Sequence, residues 1–162
     1  MPFKKILVPF DGSKQSDSAF ECAVELAANL KNSEDVQLVL LHFLDAIPTP
    51  AVFGALRSRK TGRPISMAEH MEELYGEMEE TAMKMLEGKK RDKATSGLSI
   101  ETAVEHGKPA DKILEYASKE GIDLVIIGNV GAGTKFSKII KNIGSVSRTV
   151  SEKATCPVMI VH

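Results

Sequence analysis

Two stretches of this chain are apolar at successive positions rather than at alternate ones: Val36-Gln37-Leu38-Val39-Leu40-Leu41-His42-Phe43 and, after its first residue, Asp123-Leu124-Val125-Ile126-Ile127-Gly128. Side chains along a strand point to opposite faces in turn, so a run without polar alternation belongs to a strand covered on both sides. Strands of that kind lie in parallel sheets, whose crossover connections lay helices on both faces. The chain is therefore expected to be an α/β protein.

The remaining segments supply the alternation of strands and helices. Lys5-Ile6-Leu7-Val8-Pro9 is a short apolar strand closed by Asp11-Gly12-Ser13, which is turn and N-cap chemistry. A helix follows, with Ala19, Phe20, Ala23, Leu26, Ala27 and Leu30 on one buried face of a 3.6-residue period. Ala46 to Ser66 holds Pro48, Pro50, Gly54, Gly62 and Pro64 and reads as a long mobile loop. Met67 to about Lys90 reads as a long helix whose Met67, Met71, Leu74, Met78, Ala82 and Met85 fill the core. Its other faces, carrying Glu72, Glu73, Glu79, Glu80, Lys84, Lys89 and Lys90, are expected in solvent. Ser99 to Glu105 is a sparser, less buried strand, and Pro109 opens a helix with Ile113, Leu114 and Ala117 inward. A helix from about Ser145 to Lys153 and a last strand from Cys156 to Val161 complete the order.

At 162 residues the chain fits one domain. Its net charge of -1 gives no electrostatic reason to expect nucleic acid or an anionic membrane as partner. Asp11 ends the first apolar run before a signal-peptide core could form, and no stretch reaches the length of a membrane span. A cytoplasmic location is expected. Cys22 and Cys156 match no metal or redox spacing and read as buried, reduced thiols. No metal-ligand cluster is expected.

In open parallel sheets, ligands bind beyond the carboxyl ends of the strands, where the strand order reverses. Three segments meet that condition: Pro9-Phe10-Asp11-Gly12-Ser13, Phe43-Leu44-Asp45, and Gly128-Asn129-Val130-Gly131-Ala132-Gly133-Thr134. Glycines let backbone N–H groups encircle an anion, and Gly144-Ser145 at a helix start adds donors and the positive end of a helix dipole. The same glycines also serve tight turns. A Walker loop is absent, since Thr134-Lys135 follow Gly133 in the wrong order, and the first turn has only Gly12 where a dinucleotide fingerprint needs more. Lys135, Lys138 and Lys141 could neutralise phosphates or form a solvated face. His42 and His106, each at a strand end, read as structural residues, and His70 and His162 as exposed.

In order and across the whole chain, KKILVPFDGSKQSDSAFECAVELA, VLLHFLD, HGKPADKILEYASKEGIDLVIIGNVGAG and GSVSRTVSEKATCPVMIVH resemble the universal stress protein family. The resemblance implies a Rossmann-like, five-stranded parallel sheet of order 3-2-1-4-5 with helices on both faces, and a homodimer. Members that bind ATP carry G-x2-G-x9-G-[ST] after the fourth strand. Gly128 and Gly131 match its first two glycines, and Gly144-Ser145 its last glycine and hydroxyl. Gly133 lies in the same loop. Asp11, after Pro9-Phe10, matches the acidic residue beside the adenine, while Phe43, Ile127 and Val146 are implied to line the pocket. One spacing departs from the pattern: twelve residues, not nine, separate Gly131 from Gly144.

The resemblance thus implies ATP or AMP, with or without Mg2+, as ligand of a stress-response regulator. A homodimer through the C-terminal strand, with Val158, Ile160 and Val161 as an apolar edge, and a further protein partner are its expected associations. Two alternatives stand beside this reading: a dimeric scaffold without nucleotide, and a slow ATP hydrolase. Hydrolysis would need a positioned base near the phosphates, and Asp11 and Asp45 are the acidic residues near the strand ends. No catalytic residue is assigned.

Overall fold

The computed structural model describes residues 3–30, 36–46, 55–92, 95, 97–130 and 143–162. Within them the chain runs β1 (Lys5–Pro9), α1 (Lys14–Asn29), β2 (Gln37–Leu44), α2 (Met67–Lys90), β3 (Ser99–His106), α3 (Pro109–Lys119), β4 (Leu124–Gly128), α4 (Ser145–Lys153) and β5 (Val158–Val161). The strands form one sheet of order β3-β2-β1-β4-β5. All its pairings are parallel, from Lys5 opposite Gln37 to Gly128 opposite Val161. This is the α/β architecture and strand order expected. The chain's course reverses between β1 and β4, which are direct neighbours.

The uninterrupted apolar runs are explained by two cores. Ile6, Val8, Leu38, Leu40 and Ile126 pack on one face with Ala19, Phe20, Ala23 and Ala27 of α1 and Leu86 of α2. Leu7, Val39, Leu41, Val125 and Ile127 pack on the other with Ile113 and Ala117 of α3 and Val150 of α4. Successive residues of one strand thus serve opposite layers, as strand geometry requires. β3 is an edge strand, and its outer positions Ser99 and Glu101 are exposed.

Three expectations change. The first concerns α2, where only Ala82 and Leu86 are buried and Met78 is 36% exposed. A helix of this length runs about 36 Å, whereas the eight-residue strands beneath it run roughly 26 Å. Its N-terminal turns therefore overhang the sheet, and its methionine face reaches the core only near Met83 and Met85. Second, Cys22 and Cys156 are free but half-buried, and Cys156 packs at the border of the second core. Cys22 Sγ lies 3.8 Å from Met159 Sδ, and burial pushes the Cys156 thiol pKa up.

Third, the second half of the Ala46–Ser66 stretch is a hydrogen-bonded turn, while residues 47–54 lie outside those described. Arg57 and Pro64 form an antiparallel bridge, with Gly62 at φ +72° between them. Buried Ser58 donates to Glu73 at 2.5 Å, the Arg59 N–H donates to the same carboxylate at 3.0 Å, and the Arg59 guanidinium pairs with Glu77 at 2.9 Å. Proline and glycine content predicts looseness, but these hooks to α2 supply order from outside the segment. Ser66 then caps α2 reciprocally with Glu69.

Candidate functional site

A cleft of about 440 Å³ opens at the carboxyl ends of β1, β2 and β4, where the strand order reverses. Four elements build it. From the end of β1 and just after it come Pro9, Phe10 and Asp11; from β2 and just after it, His42, Phe43 and Asp45; from β4 and just after it, Ile127, Gly128 and Val130; and from the N-cap and first turn of α4, Gly144 to Ser147. Pro109 and Ile113 of α3 close one side, and Ser13 and Ser16 of α1 another.

The β1 wall is held firmly. Phe10 donates its N–H to the Leu41 carbonyl at 2.9 Å and accepts a bond from His42 Nδ1 on its own carbonyl at 2.8 Å. A carbonyl can only accept, so Nδ1 is the donor in this bond. The Phe10 ring is buried and meets Phe20 edge-on at 6.3 Å between centroids. Asp11 Oδ1 accepts from the Ser13 N–H at 3.0 Å, and Ser13 in turn caps α1 by accepting from Ser16 N. Gly12 adopts φ +76°, and a Cβ there would stand 2.9 Å from Met85 Sδ. The positive φ is what favours glycine at this turn, since the Met85 side chain is flexible and can give way.

Three helices begin at the cleft, and they differ in what their first N–H groups do. Ser13 caps α1, and Pro109 removes a donor from the first turn of α3. The N-cap of α4 is Gly144, which has no side chain to offer, and the first helical bond there is Arg148 N to Gly144 O. The N–H groups of Ser145, Val146 and Ser147 therefore precede the helix's own bonding pattern and stand at its positive end, on the cleft. Such a terminus can hold an anion.

Of the residues singled out from sequence, Pro9, Phe10, Asp11, Phe43, Ile127, Gly128, Gly144, Ser145 and Val146 all line this cleft. Gly131, Gly133 and the lysines at 135, 138 and 141 lie outside the described residues. Two roles differ from those expected. The Gly144 N–H donates to the Asn129 carbonyl at 2.6 Å, so it closes the loop rather than facing a ligand. A Cβ on Gly128 would lie 2.9 Å from the Gln15 backbone, so this glycine lets α1 close onto the strand end. Ser147 was missed; its buried hydroxyl donates to the Gly128 carbonyl at 2.7 Å and fixes α4 to β4. Its partner lies nineteen positions earlier in the chain, so no local pattern announces the bond. Pro109 and Ile113 were read as helix residues only, because their reach into the cleft depends on how α3 packs.

The pattern of the universal stress protein family matches residues 2–162. The universal stress protein YxiE of Bacillus subtilis is 33% identical over 163 residues, spanning 99% of either chain. The chain belongs to the universal stress protein family. Universal stress protein MJ0531 of Methanocaldococcus jannaschii is 31% identical, covering 98% of this chain and 82% of its own length.

Solved structures of the family agree in fold. That of MJ0577, also from Methanocaldococcus jannaschii, superposes with a TM-score of 0.74 at 27% identity, over 98% of this chain and 95% of its own. A universal stress protein in complex with cAMP gives 0.63 at 22% identity over 99% and 97%. An Arabidopsis thaliana member with AMP bound gives 0.61 at 19% identity over 98% and 90%. At these last identities the likeness is one of fold. Among the described residues of this universal stress protein, no helix is long and apolar enough to cross a membrane.

Proposed function

We propose that this universal stress protein is a regulator that binds an adenine nucleotide in the cleft between β1 and β4 and acts through its surface rather than by turnover. The uncapped start of α4 carries the reading: Ser145, Val146 and Ser147 offer backbone N–H groups to a phosphate at the positive end of the helix. Phe43, Ile127 and Val146 give the cleft apolar walls for a base, and Asp11 stands at its mouth. That two relatives of the same fold are described with cAMP or AMP supports the ligand class. ATP, with Mg2+ offsetting its charge, is the larger candidate for the same cleft. The protein acts in the cytoplasm as a homodimer through β5, the sheet's edge, whose Met159 is 38% exposed. Another protein reads the bound state.

Titration calorimetry with AMP, cAMP and ATP, the last with and without magnesium, tests the reading on the unmutated protein and on Ser145→Pro. Proline at the first helical position deletes one N–H yet suits the helix, and Gly144 at φ -62°, ψ 160° is already in the conformation a proline demands before it. A charge-assisted hydrogen bond contributes about 1.5 to 3 kcal/mol, so affinity should fall at least roughly tenfold with the fold intact. Ser145→Ala, which keeps the N–H, should bind more nearly like the unmutated protein. Failure of the unmutated protein to bind any of the three would leave a nucleotide-free dimeric scaffold, the reading that the longer Gly131–Gly144 spacing favours. Sustained release of phosphate would instead favour the hydrolase.

A further inference from the structure

Lys89 stands near the C-terminal end of α2, among charged residues whose sequence pattern places them in solvent. It is not free there. Its Nζ pairs with Asp17 Oδ1 of α1 at 2.6 Å, and the two side chains are only 32% and 36% exposed. The same Nζ lies 5.8 Å from the centroid of the Phe10 ring, within the range of a cation–π contact. One turn earlier on α2, Met85 Sδ occupies the space beside Gly12. The helix thus reaches the β1 turn on either side of Asp11, at Phe10 through a charge and at Gly12 through a thioether.

Phe10 is now held on every side. Leu41 takes its N–H, His42 its carbonyl, Phe20 meets its ring in a T-shaped pair and Lys89 stands over the ring's electron-rich face. Asp11 follows it directly, so the place from which Asp11 leaves the strand is set by these contacts. Lys89 is joined to α1 as well, through Asp17 in the first turn, so one ammonium ties α2, α1 and the end of β1 together. The ammonium thus has two attractive neighbours, a carboxylate and the face of a ring.

We propose that Lys89 is a positioning residue for the cleft, holding the Phe10-Asp11 wall in the geometry that receives the ligand. This inference rests on the nucleotide reading above for its affinity readout. Losing the charge frees the wall to sample other positions, and the ligand must then bear the cost of ordering it. The effect travels through Phe10; Lys89 itself needs no contact with the ligand.

The test compares Lys89→Met, which keeps the apolar stem, with Lys89→Arg, which keeps the charge, and with Asp17→Asn. AMP affinity by calorimetry should fall about fivefold in Lys89→Met, the size of an exposed cation–π contact and ion pair together, and return in Lys89→Arg. The double variant Lys89→Met/Asp17→Asn should bind no more weakly than Lys89→Met, because both changes break one pair. In nuclear magnetic resonance spectra of the free proteins, the amides of Asp11, Gly12 and Ser13 should shift in Lys89→Met and return in Lys89→Arg, while those of Ser145 to Ser147 stay in place. Unchanged affinity in Lys89→Met overturns the proposal, as does a loss that arginine does not restore. If the unmutated protein binds no adenine nucleotide, the nucleotide reading falls by itself. Immobile Asp11–Ser13 amides in Lys89→Met would then overturn the positioning role separately.

Discussion

Gly144 donates its backbone N–H to the carbonyl of Asn129 at 2.6 Å, and so fastens the start of α4 to the residue that follows β4. The contact is close on all sides, since a Cβ on Gly144 would stand 3.1 Å from that same carbonyl oxygen and 3.3 Å from Val130 Cα. Gly144→Ala should therefore push α4 away from β4 at the cleft. About 1 to 2 kcal/mol of stability should be lost, with nucleotide affinity falling further than that of a distant variant of equal stability. Urea denaturation and calorimetry on one preparation measure both; an alanine variant of unchanged affinity would show that the clasp does not set the cleft.

Gly128→Ala should behave differently. Its Cβ would lie 2.9 Å from the carbonyl carbon, the carbonyl oxygen and the Cβ of Gln15, so α1 must retreat along its first turn. Because α1 anchors one of the two cores, the cost should appear as about 1 to 3 kcal/mol of global stability. Thermal melting followed by circular dichroism reads it directly. A melting point equal to that of the unmutated protein would mean that the strand end has room to spare.

The dimer proposed through β5 predicts which substitution would separate the subunits cleanly. Val158 and Ile160 pack against the α3 and α4 core, so lysine at either would damage the fold as well as the edge. Met159 points the other way and is 38% exposed. Met159→Lys places a charge on an edge strand at little cost to the monomer, and should give a monomer of near-normal melting point. Sedimentation velocity at micromolar protein decides: a monomeric unmutated protein sinks the assembly, and a dimeric Met159→Lys moves the interface elsewhere.

The hooks between the 55–66 turn and α2 should weaken in acid. Hydrogen bonding from Ser58 lowers the pKa of Glu73, and hydrogen bonding from Ser66 lowers that of Glu69. A carboxyl group whose folded pKa lies below its unfolded value stabilises above the unfolded value and loses that contribution as pH falls through the folded one. The turn should thus be docked at neutral pH and loosen only below the ordinary glutamate range of about 4.3. The amide proton of Arg59, which donates to Glu73, reports the change in a pH titration by nuclear magnetic resonance. A midpoint at or above the ordinary value would contradict the assignment.

The elements of this fold were readable because their evidence is local and periodic. Ile6 and Leu7 serve opposite cores, and that fact already stands in the sequence as the want of a polar alternate. The glycine and aspartate positions of the cleft were readable for a related reason: strand ends are where such residues must gather. What escaped depended on distant partners. Nothing near Ser58 announces Glu73, and nothing near Lys89 announces Phe10, seventy-nine positions earlier in the chain. The use of the Gly144 N–H was hidden likewise, since a glycine that frees a donor and one that spends it look alike in sequence.

The bond from Gly144 to Asn129 also separates two things that a simple loop would confound, the length of a segment and the placing of its ends. Whatever number of residues lies between, β4 and α4 are already joined at its root, so the sheet carries no record of it. Closing twelve residues rather than nine costs only about 0.3 kcal/mol more in chain entropy, a difference the fold hardly registers. Such a root lets mutation lengthen, shorten or rewrite the segment while the helix terminus beside it keeps its address. In this protein the clasp accordingly acts as a surveyor's mark: the start of α4 is located from the strand beside it, and not from the segment that leads to it.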